Sequence, residues 1–166
     1  MINQETISKQ EITGLILAGG RGSRMGHVDK GLQNFRNFPM ALHVLQRLSP
    51  QVATILINAN QNLAAYEAFG APVLTDLMPD FAGPLAGLQS GLSQCSTPYL
   101  LCVPCDAPLL PENLASRLSQ ALCAQNAELA VAFAGGHAQP VFMLMKTSLL
   151  ENLNQFLQQG ERKIEA

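Results

Sequence analysis

The sequence predicts an α/β protein with three layers, in which a mostly parallel sheet carries helices on both faces. Short apolar runs alternate along the chain with segments in which apolar residues recur at helical spacing. These runs are apolar throughout instead of alternating with polar residues, as is typical of strands that are covered on both faces. Strand–helix–strand units of this kind build parallel sheets through right-handed crossovers.

The predicted elements follow one another without a linker, an internal repeat or a low-complexity tract. The predicted strands are 12–18, 52–58, 72–75, 99–103, 129–133 and 140–145. The predicted helices are 41–48, 62–69, 84–95, a segment that carries Leu114, Leu118 and Leu122, and 148–157. Pro50 ends the first helix and Gly70 the second. The last two strands flank a Gly-Gly turn, so we expect them to pair as a hairpin.

Length and composition fit a single domain, 1–166. Hydrophobic residues make up 48% of the chain and charged residues 13%, which allows a sizeable core and argues against disorder. The net charge is -2 and there is no basic tract, which argues against binding to a long nucleic acid through many phosphate contacts.

The sequence also predicts a cytoplasmic protein that makes no membrane contact. No apolar run approaches the ~20 residues that span a bilayer, and the polar segment 1–14 does not resemble a secretory signal. The four cysteines lack the density and spacing of a disulfide scaffold.

Charged residues gather in loops that follow the predicted strands. All four aspartates do so, namely Asp29, Asp76, Asp80 and Asp106. Four of the ten cations lie in the loop after the first strand, namely Arg21, Arg24, Lys30 and Arg36. Ligands of such sheets bind beyond the carboxyl ends of the strands, so these loops are the predicted site.

The first of these loops is rich in glycine and reads LAGGRGSRMG over 17–26. It is not a dinucleotide-binding fingerprint, because Met25 stands where that pattern requires glycine and the next strand ends in Asn58 instead of an acidic residue. It is not a Walker loop either, because 29–31 read Asp-Lys-Gly. The glycines alone are typical of a flexible turn, but the adjacent arginines and lysine favour an anion site.

LAGGRGSRMG followed by DKGL at 29–32 resembles the signature of the molybdenum cofactor guanylyltransferases, within the nucleotidyltransferase superfamily. The resemblance covers most of the chain and includes NAN at 58–60, Asp76, GPLAG at 83–87, PCDAP at 104–108, Gln139-Pro140 and GER at 160–162. It implies a Rossmann-like nucleotidyltransferase fold and the transfer of GMP from GTP to molybdenum-bound molybdopterin, with release of pyrophosphate. It also implies, as further partners, other proteins of cofactor biosynthesis and the recipient molybdoenzymes.

The resemblance assigns roles to individual residues. The GTP-binding residues that it implies are Leu17, Ala18, Gly19, Gly20, Lys30, Asn58, Asp76 and Asp106. The catalytic residues are Arg24, Lys30 and Asp106, of which Asp106 binds Mg²⁺. These roles agree with the chemistry, because nucleotidyl transfer requires positioning and neutralisation of phosphoryl charge. A carboxylate is also a suitable Mg²⁺ ligand.

Each of these residues also has a structural interpretation. Lys30 can be a surface lysine paired with Asp29, and Asp76 or Asp106 can cap a turn or helix. Asp76 can instead lie near the guanine base or the ribose. Cys102 and Cys105 have the CxxC spacing of a zinc or redox pair, but no second CxxC accompanies them and Cys102 lies inside an apolar strand.

Alternative functions are a cytidylyltransferase for the same cofactor, a sugar-phosphate nucleotidyltransferase and a non-catalytic nucleotide-binding module. The cytidylyl relatives usually have LAAG where this chain has LAGG, which favours guanine. Family members typically continue past GER with a strand and an asparagine-containing segment near the metal. The domain 1–166 is therefore expected to lack the usual C-terminal strand and helix.

Overall fold

A computed structural model of the chain describes residues 6–19, 29–77 and 83–160. Its strands are β1 (Ile12–Leu17), β2 (Asn34–Phe35), β3 (Phe38–Pro39), β4 (Thr54–Asn58), β5 (Val73–Leu74), β6 (Tyr99–Pro104), β7 (Leu129–Ala134) and β8 (His137–Lys146). Its α-helices are α1 (Met40–Leu48), α2 (Leu63–Glu67), α3 (Pro84–Gln94), α4 (Leu114–Ala124) and α5 (Leu150–Gln158).

The main sheet has the strand order β5-β4-β1-β6-β8-β7. The first four strands in this order are parallel, whereas β8 runs antiparallel to β6 and pairs with β7 as the predicted hairpin. The chain moves from β1 to β4 and β5 on one side, and then returns to place β6 on the other side of β1. The strand order therefore reverses beside β1, which is where sheets of this kind bind their ligands.

Two apolar clusters cover the two faces of the sheet, so the predicted three-layer α/β architecture is confirmed. On one face, α1 and α4 pack their buried residues against the sheet, namely Ala41, Val44, Leu48, Leu114, Ala115, Leu118 and Leu122. On the other face, α3 and α5 pack against β1, β4, β6 and β8. Met143 and Met145 of β8 belong to this second cluster.

The structure departs from the predicted elements mainly after β1. The sequence suggested only a polar stretch there, but the chain forms a short 3-10 turn (Lys30–Leu32) and the β2–β3 hairpin before α1. The hairpin turns through Arg36 and Asn37, both of which have positive φ angles of 50° and 73°. Arginine is an unusual residue in this conformation, so the turn lacked the usual Asn-Gly or Asp-Gly signal. No helix in the described ranges has the length and apolar character needed to cross a membrane.

Helix α3 lies close to the sheet because its inward face carries glycine. A Cβ atom at Gly91 would lie 2.5 Å from Cδ2 of Leu15, which is completely buried in β1. The two backbones can thus approach only where residue 91 has no side chain.

This contact predicts that Gly91→Val destabilises the fold. Overpacking of this kind typically costs about 1–3 kcal/mol, and each kcal/mol lowers the melting temperature of a domain of this size by roughly 2–4 °C. Ser93→Val is the matched control on the exposed face of the same helix, and its expected effect is within about 0.5 kcal/mol. Equal melting temperatures for the two variants, measured by circular dichroism, would contradict the close packing of α3 on β1.

Candidate active site

Three parallel strands end at the same level and deliver their loops to one edge of the sheet. Leu17, the last residue of β1, pairs with Asn58 on one side and with Pro104 on the other. The backbone N–H of Ala18 donates to the carbonyl of Asn58 at 2.7 Å, and the N–H of Cys105 donates to the carbonyl of Leu17 at 3.1 Å. The loops that follow β1, β4 and β6 therefore begin side by side at the same edge of the sheet.

The side chain of Asn58 packs between two glycines. A Cβ at Gly19 would lie 2.5 Å from Oδ1 of Asn58, and a Cβ at Gly87 of α3 would meet the same oxygen. Asn58 is only 2% exposed, and its Nδ2 donates to Oδ1 of Asp76 at 2.8 Å and to the carbonyl of Leu74 at 3.3 Å. Within the described part of the chain, Asn58 thus joins the strand ends and orients the carboxylate of Asp76.

Asn60 connects the same loops from the other direction. Its Nδ2 donates to the carbonyl of Gly19 at 3.2 Å, and its Oδ1 accepts from the backbone N–H of Asp76 at 2.9 Å. The loops after β1, β4 and β5 are therefore tied together by two asparagines. The capping interpretation of Asp76 finds no support in the described residues, because its hydrogen bonds go to these two asparagines and not to a helix.

Lys30 lies in the 3-10 turn, which Asp29 caps. Oδ1 of Asp29 accepts from the backbone N–H of Gly31 at 3.2 Å and from the hydroxyl of Tyr66, and its Oδ2 accepts from Nδ2 of Asn62 at 3.2 Å. Lys30 itself is exposed. Among the described residues, Arg47 and Glu112 form an ion pair within 4.0 Å, whereas Lys30 and Asp29 do not. The interpretation of Lys30 as a surface partner of Asp29 is therefore not supported.

The lysine turn packs against the loop that carries Asp106. A Cβ at Gly31 would lie 2.5 Å from the hydroxyl oxygen of Tyr66 and 3.2 Å from both Cβ and Sγ of Cys105. Burial raises the pKa of the Cys105 thiol to about 12, with a further rise from the negative charges of Asp106 and Asp29 and an opposing effect from the positive charge of Lys30. Gly31 follows Lys30 and Cys105 precedes Asp106, so this contact brings the lysine turn and the Asp106 loop together at the sheet edge.

Asp106 has the features of a metal-binding carboxylate. It lies two residues beyond the end of β6, is exposed, and its carboxylate accepts no hydrogen bond from the described residues. The described chain has no group of three or more His, Cys, Asp or Glu residues that could enclose a metal ion. A single carboxylate is nevertheless enough for an ion such as Mg²⁺, which takes its other ligands from substrate phosphates and water.

The two cysteines of the CxxC segment do not form a metal or redox pair. Cys102 is buried in the cluster under α3 and α5, whereas Cys105 belongs to the cluster on the opposite face of the sheet. Burial raises the pKa of Cys102 to about 12 as well, so both remain protonated thiols near neutral pH.

The structure brings most of the predicted site residues to this edge. Leu17, Ala18, Gly19, Asn58, Asp76 and Asp106 lie at or just beyond the strand ends, and Lys30 lies in the 3-10 turn that packs against Cys105. Gly20, Arg24 and Asp80 lie outside the described residues. Sequence reasoning missed the roles of Asn60, Asn62 and Tyr66, although Asn60 stands in the NAN segment that carried part of the family resemblance.

Comparison with known proteins identifies the family. The family model described as "MobA-like NTP transferase domain" matches residues 14–166. A molybdenum cofactor guanylyltransferase from Bordetella petrii is 60% identical over 164 residues, covering 96% of this chain and 84% of that protein. A protein of the same name from Ralstonia nicotianae is 57% identical over 169 residues, covering 96% and 83%.

Solved structures share the fold. A protein from Aquifex aeolicus superposes with a TM-score of 0.77 at 19% identity, covering 95% of this chain and 81% of that one. The molybdopterin-guanine dinucleotide biosynthesis protein A from Archaeoglobus fulgidus gives a TM-score of 0.73 at 19% identity, covering 92% and 76%. With a family model that spans nearly the whole chain and relatives at this level of identity, the chain belongs to the MobA-like NTP transferases, and among them to the molybdenum cofactor guanylyltransferases.

Proposed function

We propose that the protein transfers GMP from GTP to the phosphate of molybdenum-bound molybdopterin and releases pyrophosphate. The observation that carries this proposal is the contact of Gly31, which follows Lys30, with Cys105, which precedes Asp106, beside the end of β1 where the glycine-rich loop begins. A nucleoside triphosphate site can be built from a cation, a carboxylate and a glycine loop. Here these groups lie where the strand order reverses, which is where such sheets bind their ligands. The relatives at 57–60% identity, which carry the guanylyltransferase name, support guanine as the base.

The reaction is an in-line displacement at the α-phosphorus of GTP. A phosphate oxygen of the acceptor forms the new bond to phosphorus, and the bond from phosphorus to the pyrophosphate oxygen breaks. Lys30 neutralises negative charge that builds on the phosphoryl oxygens, and Arg24 of the glycine loop supplies further positive charge. The backbone at Leu17, Ala18 and Gly19 holds the nucleotide at the end of β1, whose position is fixed by pairing with β4 and β6.

The carboxylate of Asp106 holds Mg²⁺ beside the triphosphate in this proposal. Mg²⁺ held by Asp106 would supply positive charge against the negative charge of the triphosphate. Hydrogen bonds with Asn58 and Asn60 orient Asp76, which contacts the base or the ribose of GTP in this proposal. Asn58 contributes to nucleotide binding by holding Asp76 and the end of β4 in place.

We also propose a cytoplasmic location for the protein. All four cysteines are free thiols in the structure, as a reducing compartment maintains them. Other proteins of cofactor biosynthesis and the recipient molybdoenzymes are the proposed protein partners, because the dinucleotide product has to be passed on.

Nucleotide binding tests the guanine assignment. We expect GTP to bind at least about tenfold more tightly than CTP, ATP or UTP, because a pocket that pairs with the guanine edge leaves polar groups unpaired against other bases. Isothermal titration calorimetry with each nucleotide and Mg²⁺ measures this preference. Equal affinity for all four would remove guanine from the proposal and leave the phosphate-binding loop in place.

Lys30→Ala tests the cation. We expect the rate of pyrophosphate release to fall by about 100-fold, because removal of one preorganised charge from the transition state typically has an effect of this order. Lys9→Ala is the matched control, since Lys9 is an exposed lysine of the 3-10 turn before β1. Unchanged turnover in a folded Lys30→Ala variant would exclude Lys30 from the site.

Asp106→Asn tests the metal ligand, because it keeps the size of the side chain and removes its charge. We expect a near-native melting temperature, loss of the Mg²⁺-dependent part of GTP binding and little turnover. Glu112→Gln, an exposed carboxylate of the loop before α4, serves as control. A variant that loses stability but retains its Mg²⁺ dependence would show that Asp106 has a structural role and that other residues hold the metal.

A further inference from the structure

Tyr66 is a fully buried residue that donates its hydroxyl to a loop of the candidate site. It lies in α2, 0% exposed, with its ring at right angles to that of Phe69 at a centroid distance of 5.8 Å. Its hydroxyl donates to Oδ1 of Asp29, the same oxygen that caps the turn by accepting from the N–H of Gly31. A rigid core side chain is therefore joined to the residue immediately before Lys30.

The hydroxyl of Tyr66 stays protonated as the donor in this bond. Burial, together with the hydrogen bond to Asp29, raises the pKa of Tyr66 far above its ordinary value. Hydrogen bonds from a neutral donor to a carboxylate are among the stronger ones in proteins. The hydroxyl of Tyr66 therefore remains the donor to Asp29 near neutral pH.

The same contact fixes the lysine turn against the Asp106 loop. Gly31 occupies the space between the Tyr66 hydroxyl and the Cys105 side chain, and no larger residue would fit there. Asn62, the residue before α2, adds a second donor to the other oxygen of Asp29. The position of the turn relative to β6 is therefore set by Tyr66, Asn62 and Cys105, none of which belongs to the turn.

From this arrangement we infer that Tyr66 is a positioning residue, which holds the turn that carries Lys30 against the loop that carries Asp106 through Asp29 and Gly31. The inference rests on the proposed function, in which Lys30 and Asp106 act on the same triphosphate. Tyr66 needs no contact with the substrate for this role. Its removal should lower the rate of transfer more than the affinity for GTP, because the two charges no longer meet the phosphates together.

Tyr66→Phe, which removes one oxygen and keeps the ring, is the direct test. We expect kcat for pyrophosphate release to fall about 10- to 100-fold, because a misplacement of about 1 Å can have an effect of this size. KM for GTP should change by less than about threefold, since the loss concerns the transition state. Tyr99→Phe, at the opposite end of β6, is the matched control and should keep the wild-type rate.

A double-mutant cycle separates positioning from general stability. If Tyr66 acts through Lys30, Tyr66→Phe should lower the rate by less than about twofold when Lys30 is already alanine. Full additivity of the two losses would overturn the inference, because Tyr66 would then act independently of the lysine. A wild-type rate in folded Tyr66→Phe would overturn it as well.

Hydrogen exchange measured by mass spectrometry tests the inference without using activity. We expect faster exchange in Tyr66→Phe over 29–33 and unchanged exchange over 12–17 and 99–104. A uniform increase that includes these strands would overturn the positioning role and indicate general destabilisation. If the unaltered chain released no pyrophosphate from GTP, the proposed function would fail, and this comparison would still decide what Tyr66 does.

Asn62→Gly provides a second variant in case Tyr66→Phe does not fold. Asn62 is exposed and has a positive φ of 53°, which glycine adopts without strain, so the change removes mainly the donor to Asp29. We expect the same local increase in exchange over 29–33 and a smaller loss of kcat. Unchanged exchange at these residues would contradict the anchoring of the turn through Asp29.

Discussion

The carboxamide of Asn58 fills a space that exists because Gly19 and Gly87 have no side chains. The oxygen of this carboxamide packs against both glycines, and its nitrogen donates to the carboxylate of Asp76 and to the backbone of β5. The end of β1, the start of α3 and the loop after β5 therefore depend on one buried polar group. A larger residue at either glycine would force this group out of place and would separate the loops from which the nucleotide site is built.

A second polar anchor, the carboxylate of Asp29, performs the equivalent function for the lysine turn. It receives donors from α2, from the residue before α2 and from its own turn. Asn58 ends β4 and Asp29 precedes the lysine turn, and the strand pairing of β1 with β4 and β6 relates the segments that they anchor.

The sequence predicted the strands and helices well because apolar periodicity is a local signal. It also placed Lys30, Asp76 and Asp106 in loops that follow strands, and in the structure Asp76 and Asp106 lie just beyond β5 and β6 whereas Lys30 lies in a 3-10 turn. The partners of Asp29 and Asp76 were not predictable in this way. Tyr66 lies 37 residues from Asp29, and Asn58 lies 18 residues from Asp76, so these hydrogen bonds leave no periodic trace in the sequence. The β2–β3 hairpin was missed for a related reason, since its turn is made by Arg36 and Asn37 in a conformation that arginine rarely adopts.

Asp76 and Asp106 show how neighbours differentiate two residues of the same type. Both follow a parallel strand at the same edge of the sheet, and only the family resemblance distinguished their roles at the level of the sequence. Asp76 is partly buried, its carboxylate accepts from Nδ2 of Asn58 and its backbone N–H donates to Oδ1 of Asn60, so its orientation is fixed before any ligand arrives. Asp106 is exposed and accepts no hydrogen bond from the described residues. A cation can therefore replace water at its oxygens without breaking a hydrogen bond within the described part of the protein. A preorganised carboxylate suits recognition of a fixed donor pattern, whereas an unbonded one suits a metal ion whose other ligands arrive with the substrate. This difference in bonding supports the proposal that Asp106 binds the metal ion and that Asp76 contacts the nucleoside part of GTP.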